Sequence, residues 1–277
     1  MKLGIITDIH YGPVRKFHGE LMGDGRDALV KVDLLLKEMK KQGVELLVNL
    51  GDNISEESVL YDQLKLSEIS GMFDYSNIPT CFVLGNHELT SLTKKNSMEA
   101  LNFSQSYYSM DMELEKLIFL DAQDGTCQGL IDDEQLGWLE KQLADSKKVY
   151  VFVHQSLAES DLNGNKWFGR DPAGGFIKNR KDVRKILEKY GNVKLVVNGH
   201  LHENRLQRIN SVEYYTLGSW SEFKHLKVRR ETYSMGGWSK FNSPEERCES
   251  YAMLDTKTDT FSFLNNCGIS FDETLTD

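Results

Sequence analysis

Five of the chain's seven histidines fall within five short motifs: Asp8-Ile9-His10, Gly51-Asp52-Asn53, Gly85-Asn86-His87-Glu88, His154 in Val-Phe-Val-His-Gln, and Gly199-His200-Leu201-His202. Imidazoles mixed with carboxylates suit transition-metal ions such as Mn, Fe, Zn or Ni, whereas Ca and Mg prefer shells made only of oxygen. A pair of such ions roughly 3.5–4 Å apart can polarise a phosphoryl oxygen and clamp both the attacking and the leaving oxygen, which is the chemistry of phosphate-ester hydrolysis. Holding two cations that close requires an anionic bridge. Asp52 is the natural candidate, because a carboxylate in a strand-end Gly-Asp can offer one oxygen to each ion.

For five distant motifs to form one site, the chain between them must bring them together. Each follows a short aliphatic or β-branched run, at 3–6, 46–50, 81–84, 149–153 and 195–197. Such runs, bounded by Gly or polar residues, read as buried parallel strands. In open α/β sheets the carboxyl ends of neighbouring strands converge on one crevice. Between the strands, residues 27–41 place Leu29, Val32, Leu35, Leu36 and Met39 on one helical face. Further helices are expected at 55–69, at 132–143 with its acids in the first turn, and at 179–190 ending on Gly191. Strands are expected at 107–112 and 117–120. After His202 the extended runs 205–209, 212–217, 251–254 and 260–264 read as antiparallel hairpins.

Taken singly, each motif residue has an ordinary alternative: Asp or Asn after a strand caps a turn, and His154 could be a hydrogen-bonded core histidine. In their order, however, the motifs resemble the calcineurin-like metallophosphoesterase superfamily, from Asp8 to His202, about two thirds of the chain. The resemblance implies a four-layer α/β/β/α sandwich of two mixed β-sheets flanked by helices. It also implies one domain over 1–277, with the motifs carried by residues 1–205 and strands of 205–277 completing the second sheet. One metal ion would be held by Asp8, His10 and His202, the other by Asn86, His154 and His200, with Asp52 between them. A water or hydroxide between the ions would attack, and His87 would protonate the leaving group or stabilise charge on the phosphoryl oxygens. Glu88 would hydrogen-bond the His87 imidazole and fix its tautomer.

The long connection 155–178 leaves directly from His154, so it is expected to overhang the metals. Arg170 could then meet a phosphate, and Trp167 or Phe168 a nucleobase or other flat group; alternatively the aromatics pin the loop to the core. A second irregular stretch, 231–247, could form the opposite wall. His18 and His225 fall outside the motifs and are expected on the solvent side. Purple acid phosphatases carry a tyrosine three residues after the bridging aspartate, where this chain has Ser55, so no iron–tyrosinate site is implied. The double-strand-break nuclease branch has additional regions for which the chain is short, and a net charge of −9 disfavours contact along a nucleic-acid backbone. In proportion the chain looks most like the small cyclic-nucleotide phosphodiesterase branch. The expected substrate is a small phosphodiester or nucleotide. The alternatives are pyrophosphate bonds of nucleotide diphosphate conjugates, a phosphomonoester, or a non-catalytic binding module on the same fold.

Composition limits the remaining possibilities. With 277 residues, 40% hydrophobic and 27% charged, the chain can bury a full core, and four prolines with no repeat argue against a modular array. A strand starting at Lys2 is expected to leave no room for a signal peptide, and no apolar run approaches a membrane span, so a cytoplasmic enzyme is expected. Cys81, Cys127, Cys248 and Cys267 are widely spaced, which suggests buried free thiols. Oligomeric state is left open.

Overall fold

The computed structural model describes residues 1–17, 20–145, 147–220, 229–231, 250–265 and 270–275. His18, His225, Cys248, Cys267 and most of the 231–247 stretch lie outside them. The chain runs through β1 (Lys2–Ile6), β2 (Val14–Phe17), β3 (Glu20–Asp24), α1 (Ala28–Lys41), β4 (Leu46–Asn49), α2 (Val59–Ser76) and β5 (Thr80–Phe82). It continues through α3 (Glu88–Ser91), α4 (Lys94–Ala100), β6 (Tyr108–Asp111), β7 (Glu115–Phe119), α5 (Asp133–Leu143), β8 (Lys148–Phe152), α6 (Arg180–Lys189) and β9 (Val193–Asn198). It closes with β10 (Arg205–Ile209), β11 (Val212–Thr216), β12 (Arg229–Glu231), β13 (Ser250–Asp255), β14 (Thr260–Asn265) and β15 (Ser270–Thr274).

Two mixed sheets result, in the orders β15-β14-β13-β1-β4-β5 and β12-β10-β11-β9-β8-β7-β6. The motif strands pair in parallel, β1 with β4 and β4 with β5 in the first sheet, β8 with β9 in the second. Their inner faces meet in a core that includes Leu3, Ile5, Val48, Phe119, Phe152, Val197 and Leu254. The outer face of the first sheet packs on α1 and α2 through Val32, Leu36, Met39, Leu66, Ile69 and Phe73. That of the second packs on α5 and α6 through Leu139, Leu143, Val183 and Leu187. This is the expected four-layer arrangement. Because both faces of the motif strands are covered, they are apolar throughout rather than alternating.

The strands after residue 205 do not all join the second sheet. β10 and β11 do, but β13 pairs antiparallel with β1, Leu3 opposite Leu254 and Ile5 opposite Ala252, so the C-terminal strands extend the first sheet instead. Ala252 and Leu254 are fully buried between the sheets, and this register is what puts them there. The second helix also differs from expectation, beginning at Val59 rather than 55. Ser58 caps it by accepting from the Tyr61 N–H, and the Asp62 carboxylate accepts from the Glu57 N–H at 2.9 Å. Residues 53–57 are thereby left outside the helix, and 53–55 run beside Tyr11, with Ile54 bridged to it. Between β1 and α1 the β2–β3 hairpin belongs to neither large sheet. Among the described residues no helix is long and apolar enough to cross a membrane.

Candidate metal centre

The motif loops leave β1, β4, β5, β8 and β9 at their carboxyl ends, and backbone hydrogen bonds join them. The Asp8 N–H donates to Gly51 O (2.9 Å), His10 to Asp52 O (3.0 Å) and Gly199 to His154 O (3.0 Å). The turns are tight enough that Asp8, His10, Asp52, His200 and His202 all adopt positive φ, between 49° and 68°. Non-glycine residues seldom adopt this region, and strain of this kind collects at functional sites. Two motif glycines are required by close approach. A Cβ on Gly85 would collide with the Asp52 carboxylate, and one on Gly199 with Thr7 and Asp8.

These turns bring Asp8, His10, Asp52 and His202 together in one group and Asp52, His154 and His200 in a second, with the ligand atoms of each within 4.8 Å of one another. Asp52 belongs to both. Its Oδ1 accepts the His87 N–H at 2.9 Å, while Oδ2 lies 3.1 Å from His154 Nε2 and 4.0 Å from His10 Nε2. Asp8 Oδ2 accepts from the Thr7 hydroxyl (2.6 Å) and the His200 N–H (3.0 Å), and Oδ1 lies 3.0 Å from His202 Nε2. His154 Nδ1 is 2.8 Å from Leu50 O, so the ring presents Nε2 to the site. Asn86 Oδ1 is buried without a hydrogen bond. Buried polar atoms are rarely left so, and such a lone pair beside a carboxylate-lined space fits a cation. The donor set therefore fits two ions, with Asp52 common to both.

Burial opposes ionisation of Asp8 and Asp52, but the surrounding imidazoles hold both carboxyls well below the usual range. Burial likewise works against a charged His154, yet Asp52, Asp8 and Glu88 push its pKa up to about 9. His200, whose ring lies 5.1 Å from that of His154, is instead driven down to about 3 by burial and by the His154 charge. A bound cation would supply the positive charge that these carboxylates otherwise draw from His154 and would leave the imidazole neutral, as ligation requires.

Glu88 is fully buried but does not reach the His87 ring. Its carboxylate accepts backbone N–H groups from Gly85 (2.7 Å), Asp52 (3.0 Å) and Asn53 (2.5 Å), clamping the second and third motif loops to each other. The expected partnership falls to Glu56, whose Oε2 accepts from His87 Nδ1 at 2.5 Å. Burial lowers the His87 pKa, but Asp52 and Glu56 outweigh it and the net shift is upward.

The calcineurin-like phosphoesterase family matches residues 1–204, which span every one of these motifs. The chain belongs to that family. A Fibrobacter succinogenes protein named a probable cyclic nucleotide phosphodiesterase is 27% identical over 229 residues, 78% of each chain. A Psychrobacter arcticus protein of the same name is 24% identical, covering 70% of this chain and 68% of its own. The crystal structure of a dimetal phosphatase from Danio rerio superposes with a TM-score of 0.75 over 99% of both chains at 14% identity, a likeness of fold. The chain is a metal-dependent phosphoester hydrolase.

Over the candidate ligands lies a cavity of about 200 Å³, lined by Arg15, Asp52, Asn86, His87, Cys127, Trp167, Phe168, His200 and His202. The 155–178 loop closes one side. Asn165 anchors it by donating to Leu201 O (2.8 Å) and by accepting from the Trp167 and Phe168 N–H groups, and Gly174 O lies 3.0 Å from His200 Nε2. Phe168 packs against Leu162, Phe176 and Leu201, so it pins the loop while also facing the cavity. Trp167 stands edge-on to His202, ring centroids 5.6 Å apart. Arg170 is exposed and absent from the lining; the arginine that reaches the cavity is Arg15, from the hairpin. Cys81 is buried as expected, whereas Cys127 is exposed at the cavity edge. A larger hollow of about 280 Å³ between α1 and α2 holds none of the motif residues.

Proposed function

We propose that this phosphoesterase hydrolyses a phosphodiester of a nucleotide-like substrate, using two transition-metal ions (Mn, Fe, Zn or Ni) that share Asp52. The observation that carries the reading is the pair of ligand groups with Asp52 in common, facing a cavity that His87 also lines. Asp8, His10 and His202 would hold one ion, and Asn86, His154 and His200 the other. Such ions, when bound, polarise phosphoryl oxygens and lower the pKa of a water. His87, whose pKa Asp52 and Glu56 raise against burial, donates its Nε2 proton to the departing oxygen, and that donation favours leaving groups of high pKa. Glu88 keeps the loops bearing Asp52 and Asn86 in register. Trp167 and Phe168 offer apolar surface to a base or sugar, and the names of the bacterial relatives support a nucleotide diester.

The test is hydrolysis of a chromogenic phosphodiester beside its monoester analogue by protein stripped with chelator and reloaded with manganese, followed by a panel of cyclic nucleotides. Metal-dependent diester cleavage supports the reading. Cleavage of the monoester alone, or of pyrophosphate bonds alone, overturns the choice of substrate.

A further inference from the structure

We propose that the buried pair Asp62 and Lys65 on α2 positions the Glu56 carboxylate behind His87. The inference rests on the reading of His87 as the group that assists the departing oxygen. Asp62 is fully buried and Lys65 is 8% exposed, one helical turn apart, and neither lines the cavity over the candidate ligands. What they hold is the short segment that carries Glu56. Lys65 Nζ donates to Ser55 O at 2.9 Å and pairs with the Glu57 carboxylate. Asp62 accepts the Glu57 N–H through both of its oxygens, at 2.9 and 3.1 Å. The residues on either side of Glu56 are therefore both tied to α2, and Glu56 Oε2 lies 2.5 Å from His87 Nδ1.

Another tie runs to the histidine's side. Asp62 Oδ2 accepts the Ser91 hydroxyl at 2.5 Å, and Ser91 closes α3, the one-turn helix that follows directly from His87. One buried carboxylate is thus bonded to the neighbour of Glu56 and to the helix headed by His87, so both partners of the imidazole hydrogen bond are fixed against a common point. That bond needs such support, because the His87 and Glu56 side chains are 27% and 39% exposed and water competes for both. Stability alone does not account for the pair. Burying an ion pair costs desolvation, and apolar side chains of similar volume are often neutral or stabilising in its place. Lys65 also lies closer to the loop than to its partner, 2.9 Å from Ser55 O against 3.4 Å from Asp62 Oδ1.

The experiment replaces the pair by apolar residues, Asp62→Leu together with Lys65→Met, in the full chain. Manganese-loaded protein is used for kinetics and zinc-loaded protein for crystals, with metal content and unfolding midpoint measured in every sample. The fold and both ions should be retained. kcat for a diester with an alkyl leaving group should fall about tenfold, while KM and turnover of the p-nitrophenyl diester change little. In a Glu56→Ala background the same double change should cost nothing further, since no carboxylate remains to be positioned. Asp62→Asn should lose less than Asp62→Leu, because the amide oxygen still accepts the Glu57 N–H. Ser91→Ala removes one tie at a half-buried position; it should show a smaller loss of the same kind and serves if the double change unfolds the chain. Crystals of the parent should show Glu56 bonded to His87, and crystals of the double variant should show it withdrawn. Equal losses for both leaving groups, a loss that persists in Glu56→Ala, or Glu56 still bonded to His87 in the double variant would each overturn the assignment. If the double change withdraws Glu56 in the crystal while the parent cleaves neither ester, or while Glu56→Ala leaves alkyl-ester turnover intact, the positioning stands and the reading of His87 fails.

Discussion

Glu56→Gln removes the charge behind His87 while keeping the shape of the side chain. The His87 ring is 27% exposed and Glu56 39%, with 2.5 Å between Nδ1 and Oε2. The pair therefore falls between an exposed ion pair, about 0.2–1 kcal/mol, and a hydrogen bond to a charged group, about 1.5–3 kcal/mol. An intermediate loss of about 1.4 kcal/mol corresponds to about one pH unit. His87 has a raised pKa, so its acid function is present below that value and lost as pH rises through it. Asp52 also raises it, but bound ions would neutralise much of that charge and leave Glu56 as the main support. The basic limb of the kcat–pH profile should accordingly move down by about one unit in Glu56→Gln. General acids contribute roughly 10²–10⁴-fold, and a weakened one should cost about tenfold in kcat for a diester with an alkyl leaving group, with much less loss for p-nitrophenolate. Metal content and KM should hold. An unmoved basic limb, or equal losses for both leaving groups, would refute the reasoning.

Glu88→Ala leaves three buried backbone N–H groups without an acceptor, at about 1 kcal/mol each or more, so the unfolding midpoint should fall by roughly 6–10 °C, with chelator as well as with metal. A midpoint unchanged in chelator would return Glu88 to a role in catalysis. Gly85→Ala forces a Cβ onto the Asp52 carboxylate; both ions should be lost by elemental analysis while the circular-dichroism spectrum is retained. Asn86→Ala removes a donor from one ion only, so metal titration should show one site weakened and the other intact, whereas Asp52→Ala should weaken both.

The gathering of the candidate ligands was readable because each directly follows an apolar strand, and the carboxyl ends of parallel strands converge whatever the details of packing. Partnerships between motifs were harder to read. Glu88 is adjacent to His87 in sequence, but it lies in the first turn of α3, which turns its carboxylate back onto the Gly85, Asp52 and Asn53 amides. Glu56 was hidden inside an expected helix. The Ser58 cap and the Asp62 carboxylate at the Glu57 N–H start that helix later and free Glu56 to reach His87. Arg170 drew attention by lying in the loop after His154, yet it is Arg15 that lines the cavity, from a hairpin whose polar residues occupy both strand faces and so give no alternating signal. The division of the C-terminal strands between two sheets depends on register with β1, which short apolar runs do not encode.

The central claim is a pair of ions sharing Asp52 and acting together on a phosphodiester. It is tested most directly by titrating the stripped protein with manganese, following turnover of the chromogenic diester and the electron-paramagnetic-resonance spectrum at each step. Activity should appear with the second ion per chain, alongside the signal of an exchange-coupled pair, and both should vanish in Asp52→Ala. Full activity with a single ion bound, or two bound ions with no coupling, would contradict it.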